Sequence, residues 1–221
     1  IKRGLVGDVS SPAGLPEAGS VNADTWATTN ADRWLEYRRK SGNDLFSSFV
    51  ASCQVFNTTL TRLKPDEWQT LCYHPGGVIS VQTLVGLRLL EIAIHGWDIG
   101  SRVSPPATLS AETLPLLVQF ISDYVQWFFH AGTRLRYPAR FRVDFSDSYV
   151  SAVDVIVDGD SACIEPVGTE PAKVRLLCSA ETFLLIMCGR FSVSSAAEAG
   201  LLEIHGDSYL ASEFSGWFQG A

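Results

Sequence analysis

The hydrophobic period of this chain changes once, near Ala131–Pro138, and this constrains the fold more than any other feature. Before that point apolar residues recur at intervals of three and four. After it they alternate in short runs. A helical part is therefore expected to precede an α+β part. The boundary falls near residue 135, giving domains of residues 1–134 and 135–221.

Residues 1–23 are rich in Gly, Pro and Ser and read as an irregular loop. Asn30 or Asp32 caps a helix that runs to about Arg39. A second helix spans roughly Gly42–Leu63, with Leu45, Phe49, Phe56 and Leu60 at helical spacing. Pro65 and the Pro75-Gly76-Gly77 cluster punctuate the chain. Ser80 then opens a long helix to about Gly100, and Ser110 opens another that ends near Phe128. Beyond the boundary, residues 141–145, 152–157, 161–165, 173–178 and 201–205 read as strands. Asp158-Gly159 marks a tight hairpin between two of them. Residues 180–187 and 209–218 read as helices.

Composition narrows the class of function. The 221 residues are 46% hydrophobic and 19% charged, enough apolar material for a core and too much for general disorder. The net charge is −7, with no basic run to offset it, so nucleic acid is not an expected partner. There is no apolar run long enough to span a membrane and no visible signal peptide. The five cysteines (53, 72, 163, 178 and 188) are odd in number and widely spaced, without C-x-x-C. They read as reduced thiols of a cytoplasmic protein. The first residue is Ile1 and the single methionine is Met187, so residues are expected to precede Ile1.

One helix carries chemistry. Residues 81–99 are apolar nearly all round, as a buried helix would be. Arg88, Glu91, His95 and Asp98 interrupt them at spacings of three, four and three. At about 100° per residue these four side chains fall within an arc of about 80°. Burying such a stripe costs free energy unless its members pair or bind something. Two readings stay open. In the first, Arg88 pairs with Glu91 and Asp98 with His95, and the stripe is a structural network or simply a solvated face. Alternatively, Glu91 and His95 at i and i+4 chelate a divalent metal, and Asp98 orients His95 by hydrogen bonding.

The run Arg88…Glu91…His95-Gly96-Trp97-Asp98 resembles the R-x-x-E-x-x-x-H-x-W-D motif of the mycothiol-dependent maleylpyruvate isomerase family. The preceding Cys72-Tyr73-His74-Pro75-Gly76-Gly77 resembles the segment leading into that helix. Further matches are Glu181–Leu185, Cys188-Gly189-Arg190, Gly200–Asp207 and the Phe214–Gly220 ending. The resemblance implies a DinB-like helical bundle, N-terminally incomplete here, followed by a small α+β domain similar to sterol-carrier proteins.

It also implies a divalent metal, usually zinc, held by Glu91 and His95 and by one histidine from an earlier helix. That histidine has no counterpart among His74, His95, His130 and His205, and would precede Ile1; His74 is the fallback ligand. The implied co-substrate is mycothiol, whose thiol is activated at the metal. Arg190 is the implied anchor for a substrate carboxylate, with a helix-end arginine as the plainer reading. The expected function is a metal- and thiol-dependent isomerase or S-transferase acting on a small electrophilic carboxylate. The alternatives are a relative without thiol chemistry, catalysing another isomerisation or cyclisation, and a ligand-binding protein. Trp97 reads as core, His205 as a half-exposed strand residue, His130 as a helix-end residue and Cys188 as a buried small residue.

Overall fold

A helical N-terminal region is followed by a small α+β sheet domain, the order that the change of period leads one to expect. The computed structural model describes all residues but 22, 40, 41, 131, 133, 148, 149 and 221. Ala131, the first residue of the expected transition, thus lies outside the described residues. Two compact units divide the chain, residues 1–85 and 86–221. This division lies upstream of the boundary expected at 134/135. That position marks where helix gives way to strand, whereas the unit break falls inside a helix.

In the first unit, helices α1 (Ala23–Arg38) and α2 (Gly42–Leu60) precede a hairpin of β1 (Leu71–His74) and β2 (Gly77–Ser80). Helix α1 begins well before the expected caps, and Asn30 and Asp32 lie inside it. No Gly or Pro interrupts residues 23–38, so nothing stops the helix, while its sparse apolar residues conceal the period. The hairpin was hidden because four-residue strands are too short to show alternation. Pro75 and Gly76 form its two-residue loop between the His74–Gly77 pair. The loop before α1 is tied to that turn, with the Gly19 and Val21 amides donating to the Pro75 carbonyl and the Tyr73 hydroxyl to the Pro16 carbonyl.

Helix α3 (Val81–Val103) starts where Ser80 was expected to cap it: the Ser80 hydroxyl accepts from the Thr83 amide at 3.1 Å. It is not buried all round. Leu90 and Ile94 are buried, but Ile92, Ile99 and Val103 are exposed. Only one face of the helix meets the core of the second unit, and its apolar residues extend beyond that face.

The rest of the second unit is α4 (Leu114–Tyr124), then β3 (Ala139–Phe145), β4 (Val153–Asp158), β5 (Ser161–Pro166) and β6 (Val174–Cys178). Helices α5 (Ala180–Met187) and α6 (Val193–Glu198), strand β7 (Leu202–Gly206) and α7 (Ser208–Trp217) complete it. Helix α4 starts later than Ser110 because residues 111–113 form a turn, with the Thr113 hydroxyl donating to the Ser110 carbonyl. The sheet order is β5-β4-β3-β6-β7; β3 and β6 run parallel and the other pairs antiparallel.

Alternation along β3 and β6 puts Phe141, Val143, Val174 and Leu176 into the core. There they meet α5 and α7: Phe141 packs edge-to-face on Phe214 at 5.1 Å and on Trp217 at 6.1 Å between centroids. The opposite face carries charge. Asp154, fully buried, accepts from Arg142 at 2.9 and 3.0 Å, from Arg140 at 2.9 Å and from the Gly168 amide at 3.1 Å. Burial pushes its carboxyl up, but these donors outweigh that and hold it at about 2.

Candidate active site

The four polar residues of α3 share one face, as their spacing requires, and that face is open. The His95 side chain is 61% exposed and that of Glu91 46%. Glu91 Oε2 lies 3.7 Å from Arg88 Nη1 and 3.9 Å from His95 Nε2. His95 Nδ1 lies 3.1 Å from Asp98 Oδ2. The cost expected for burying the stripe therefore does not arise at Arg88, Glu91 and His95. The energetic case for a site now rests on what the groups face.

Asp98 is the exception. It is only 32% exposed, and Arg190 is its main partner, with Nε 3.0 Å from Oδ1 and Nη2 2.7 Å from Oδ2. The Arg190 hydrogen bonds hold the Asp98 carboxyl below the usual range against the opposing effect of burial, with a smaller contribution from His95. In turn, Asp98 raises the Arg190 guanidinium. An ionised carboxylate can only accept, so the hydrogen shared by His95 and Asp98 sits on Nδ1. When the ring is neutral, Nε2, the nitrogen 3.9 Å from Glu91 Oε2, then carries the lone pair.

Arg190, the residue expected to anchor a substrate carboxylate, thus has its two-pronged edge on Asp98. Its remaining nitrogen, Nη1, donates to the Cys188 carbonyl at 2.7 Å. The pairing spans 92 positions, so no local spacing could reveal it. The only sequence signal was that both residues belong to matched motifs.

The other singled-out residues are engaged elsewhere. Trp97 donates to the Ala107 carbonyl at 3.1 Å and meets the Phe191 edge at 5.7 Å. His74 Nδ1 accepts from the Gly76 amide at 3.1 Å inside the β1–β2 turn. His130 Nε2 lies 2.6 Å from the Gly220 carbonyl. His205, exposed on β7, pairs with Glu203 at 2.9 Å. Burial pushes the Cys188 thiol up to about 12, which removes it as a nucleophile near neutral pH.

Glu91 and His95 offer one carboxylate oxygen and one imidazole nitrogen. Ligand atoms of a zinc-like ion lie about 2.0–2.2 Å from it, and a 3.9 Å separation is within reach of one such ion. The donor chemistry fits. Among the described residues, no group of three or more His, Cys, Asp and Glu side chains could hold a metal. No helix among them is long and apolar enough to cross a membrane.

Residues 5–100 match the family model described as the mycothiol maleylpyruvate isomerase N-terminal domain. No curated protein matches the chain. Among solved structures, a UbiJ-SCP2 ubiquinone synthesis protein aligns at 16% identity over 46% of this chain and 91% of its own, with a TM-score of 0.37. Palmitated SCP2L2 from Aedes aegypti aligns at 21% identity over 48% of this chain and 92% of its own, with a TM-score of 0.35. The sec-alkylsulfatase Pisa1 from Pseudomonas sp. aligns at 14% identity over 46% of this chain but only 16% of its own, with a TM-score of 0.40.

Proposed function

From the match of residues 5–100 to the mycothiol maleylpyruvate isomerase N-terminal domain, we propose that this chain is a metal- and thiol-dependent enzyme. It acts on a small electrophilic molecule that bears a carboxylate, as an isomerase or S-transferase. The observation that carries this reading is the outward pair on α3. His95 Nε2 and Glu91 Oε2 lie 3.9 Å apart, and Asp98 holds the far side of the ring. A salt bridge made only for stability would gain little at this exposure.

Glu91 and His95 are the residues that would hold the ion, zinc being the best match to an N/O pair. When bound, it supplies Lewis acidity that lowers the pKa of a thiol. Mycothiol is the co-substrate that the family suggests. Its sulfur adds to an electron-poor double bond; rotation about the resulting single bond and loss of the thiol give isomerisation. Loss of a different leaving group gives S-transfer. Asp98 keeps His95 in one tautomer and one orientation. Arg88, near Glu91, restrains that carboxylate.

The binding-module alternative has less support, because the rings of Phe141, Phe214, Trp217 and Phe218 pack on one another between the sheet and its helices. The test is turnover of α,β-unsaturated carboxylates by the zinc-supplemented full-length protein, with and without mycothiol. Activity that requires the thiol and is lost in Glu91→Ala and His95→Ala supports the reading. Turnover that ignores the thiol would replace it with metal-only chemistry on the same pair.

A further inference from the structure

The contact between Arg190 and Asp98 is too well built to be an incidental surface ion pair. Arg190 follows α5 in a helix-ending turn in which two backbone bonds close on the last helical residues. Its own amide donates to the Leu185 carbonyl at 2.7 Å, and the Gly189 amide to the Ile186 carbonyl at 2.9 Å. Gly189 sits at φ +70°, and a side chain there would run into the Gln219 backbone. Gly220 sits at φ +78° against the Cys188 carbonyl, the same carbonyl that accepts from Arg190. The chain end therefore braces the turn from which the guanidinium projects. One residue on, Phe191 meets Trp97 edge-to-face, so neighbouring pairs (Trp97–Phe191 and Asp98–Arg190) join α3 to this turn.

The consequence reaches His95. Oδ2 of Asp98 accepts from both Arg190 Nη2, at 2.7 Å, and His95 Nδ1, at 3.1 Å. With Oδ1 also held by Arg190 Nε, the carboxylate cannot rotate without breaking a bidentate contact. We propose that Arg190 is a positioning residue: by locking the Asp98 carboxylate, it fixes His95 as the Nδ1–H tautomer with the lone pair on Nε2, the nitrogen 3.9 Å from Glu91 Oε2. This rests on the metal reading for its purpose but not for its test, since a tautomer can be measured without any metal.

The replacement for a substrate-anchoring role is specific. An anchor would lose substrate affinity on mutation and leave the imidazole unchanged. A positioning residue changes the imidazole first. The experiment is ¹⁵N NMR of the His95 ring in the metal-free full-length protein, taken at a pH above which the ring signals no longer change. It is run on wild type, Arg190→Leu and Arg190→Lys, with zinc affinity measured on the same samples. Wild type is expected to show predominantly Nδ1–H. Arg190→Leu should shift toward the Nε2–H form that an unassisted imidazole prefers, and should weaken zinc binding about tenfold, at the low end for groups that orient a ligand from outside. Arg190→Lys, which keeps the charge but not the fork, should fall between the two; it carries the test if Arg190→Leu does not fold.

An Nδ1–H population unchanged in whichever variant folds would overturn the proposal and leave Arg190 a purely structural clamp. A shifted tautomer in a protein that binds no zinc would uphold the positioning and overturn the metal reading instead.

Discussion

Two carboxylates of the second unit are each held by arginine, and they differ in what is left over. Asp154 sits fully buried on the sheet, and all four of its close donors come from the chain itself: Arg140, two from Arg142 and the Gly168 amide. Arg142 also donates to the carbonyls of Gly168 and Glu170, which pins residues 168–170 to the sheet, and Arg140 also donates to Glu165 at 2.8 Å. Asp98 has a similar fork from Arg190, but one of its oxygens also reaches His95, whose other nitrogen faces Glu91 at an open surface. The same chemistry thus makes a closed clamp in one place and a directed ligand in the other. Arginine–carboxylate pairing alone does not mark a site; an acceptor chain that ends at solvent is the more informative sign.

The comparison can be broken at its closed end first. Asp154→Asn leaves Arg142 short of a counter-charge and Arg140 with Glu165 alone, and should cost about 3 kcal/mol, the low end for removing one partner of a buried pair. Urea denaturation would check this; a loss below about 1 kcal/mol would mean that the cluster is not a clamp. Acid sharpens the same point. The Asp154 carboxyl is held at about 2 in the folded chain against 3.8 ordinarily. A folded value below the unfolded one gives stability that is full above about pH 4 and is lost as pH falls toward 2. The amount is about 2 kcal/mol, and Asp154→Asn should flatten that part of the pH–stability curve.

At the open end, Gly189→Ala places a side chain at φ +70° and against the Gln219 backbone. It should cost about 2 kcal/mol and disturb the Arg190–Asp98 contact as well, read by melting temperature and by the His95 ring signals. The smallest effect on stability is expected where the functional effect is largest. Glu91→Ala and His95→Ala remove half-exposed groups and should stay within about 0.5 kcal/mol of wild type in denaturation.

The sheet domain was the more legible part of the sequence. Its strands alternate because one face packs against the helices and the other carries charged residues, so Phe141, Val143, Val174 and Leu176 announce themselves. Helix α6 was missed because six residues give too little of a period to read. In the first unit, α1 carries few apolar residues and α2 buries none, so burial could not sharpen their ends. At the candidate site, spacing identified the face shared by Arg88, Glu91, His95 and Asp98 but left its burial open, since an apolar sequence does not say how much of a helix is covered. The Arg190 contact depends on how α5 ends relative to α3. Only the fold supplies that.

The most direct measurement is a zinc titration of the full-length protein alongside Glu91→Ala and His95→Ala, with folding checked by denaturation. Wild type is expected to bind about one ion per chain, and each variant more than tenfold more weakly, since loss of a group that merely orients a metal ligand already costs about tenfold. A wild-type protein that binds no zinc, or variants that bind it as tightly as wild type, would contradict the metal reading.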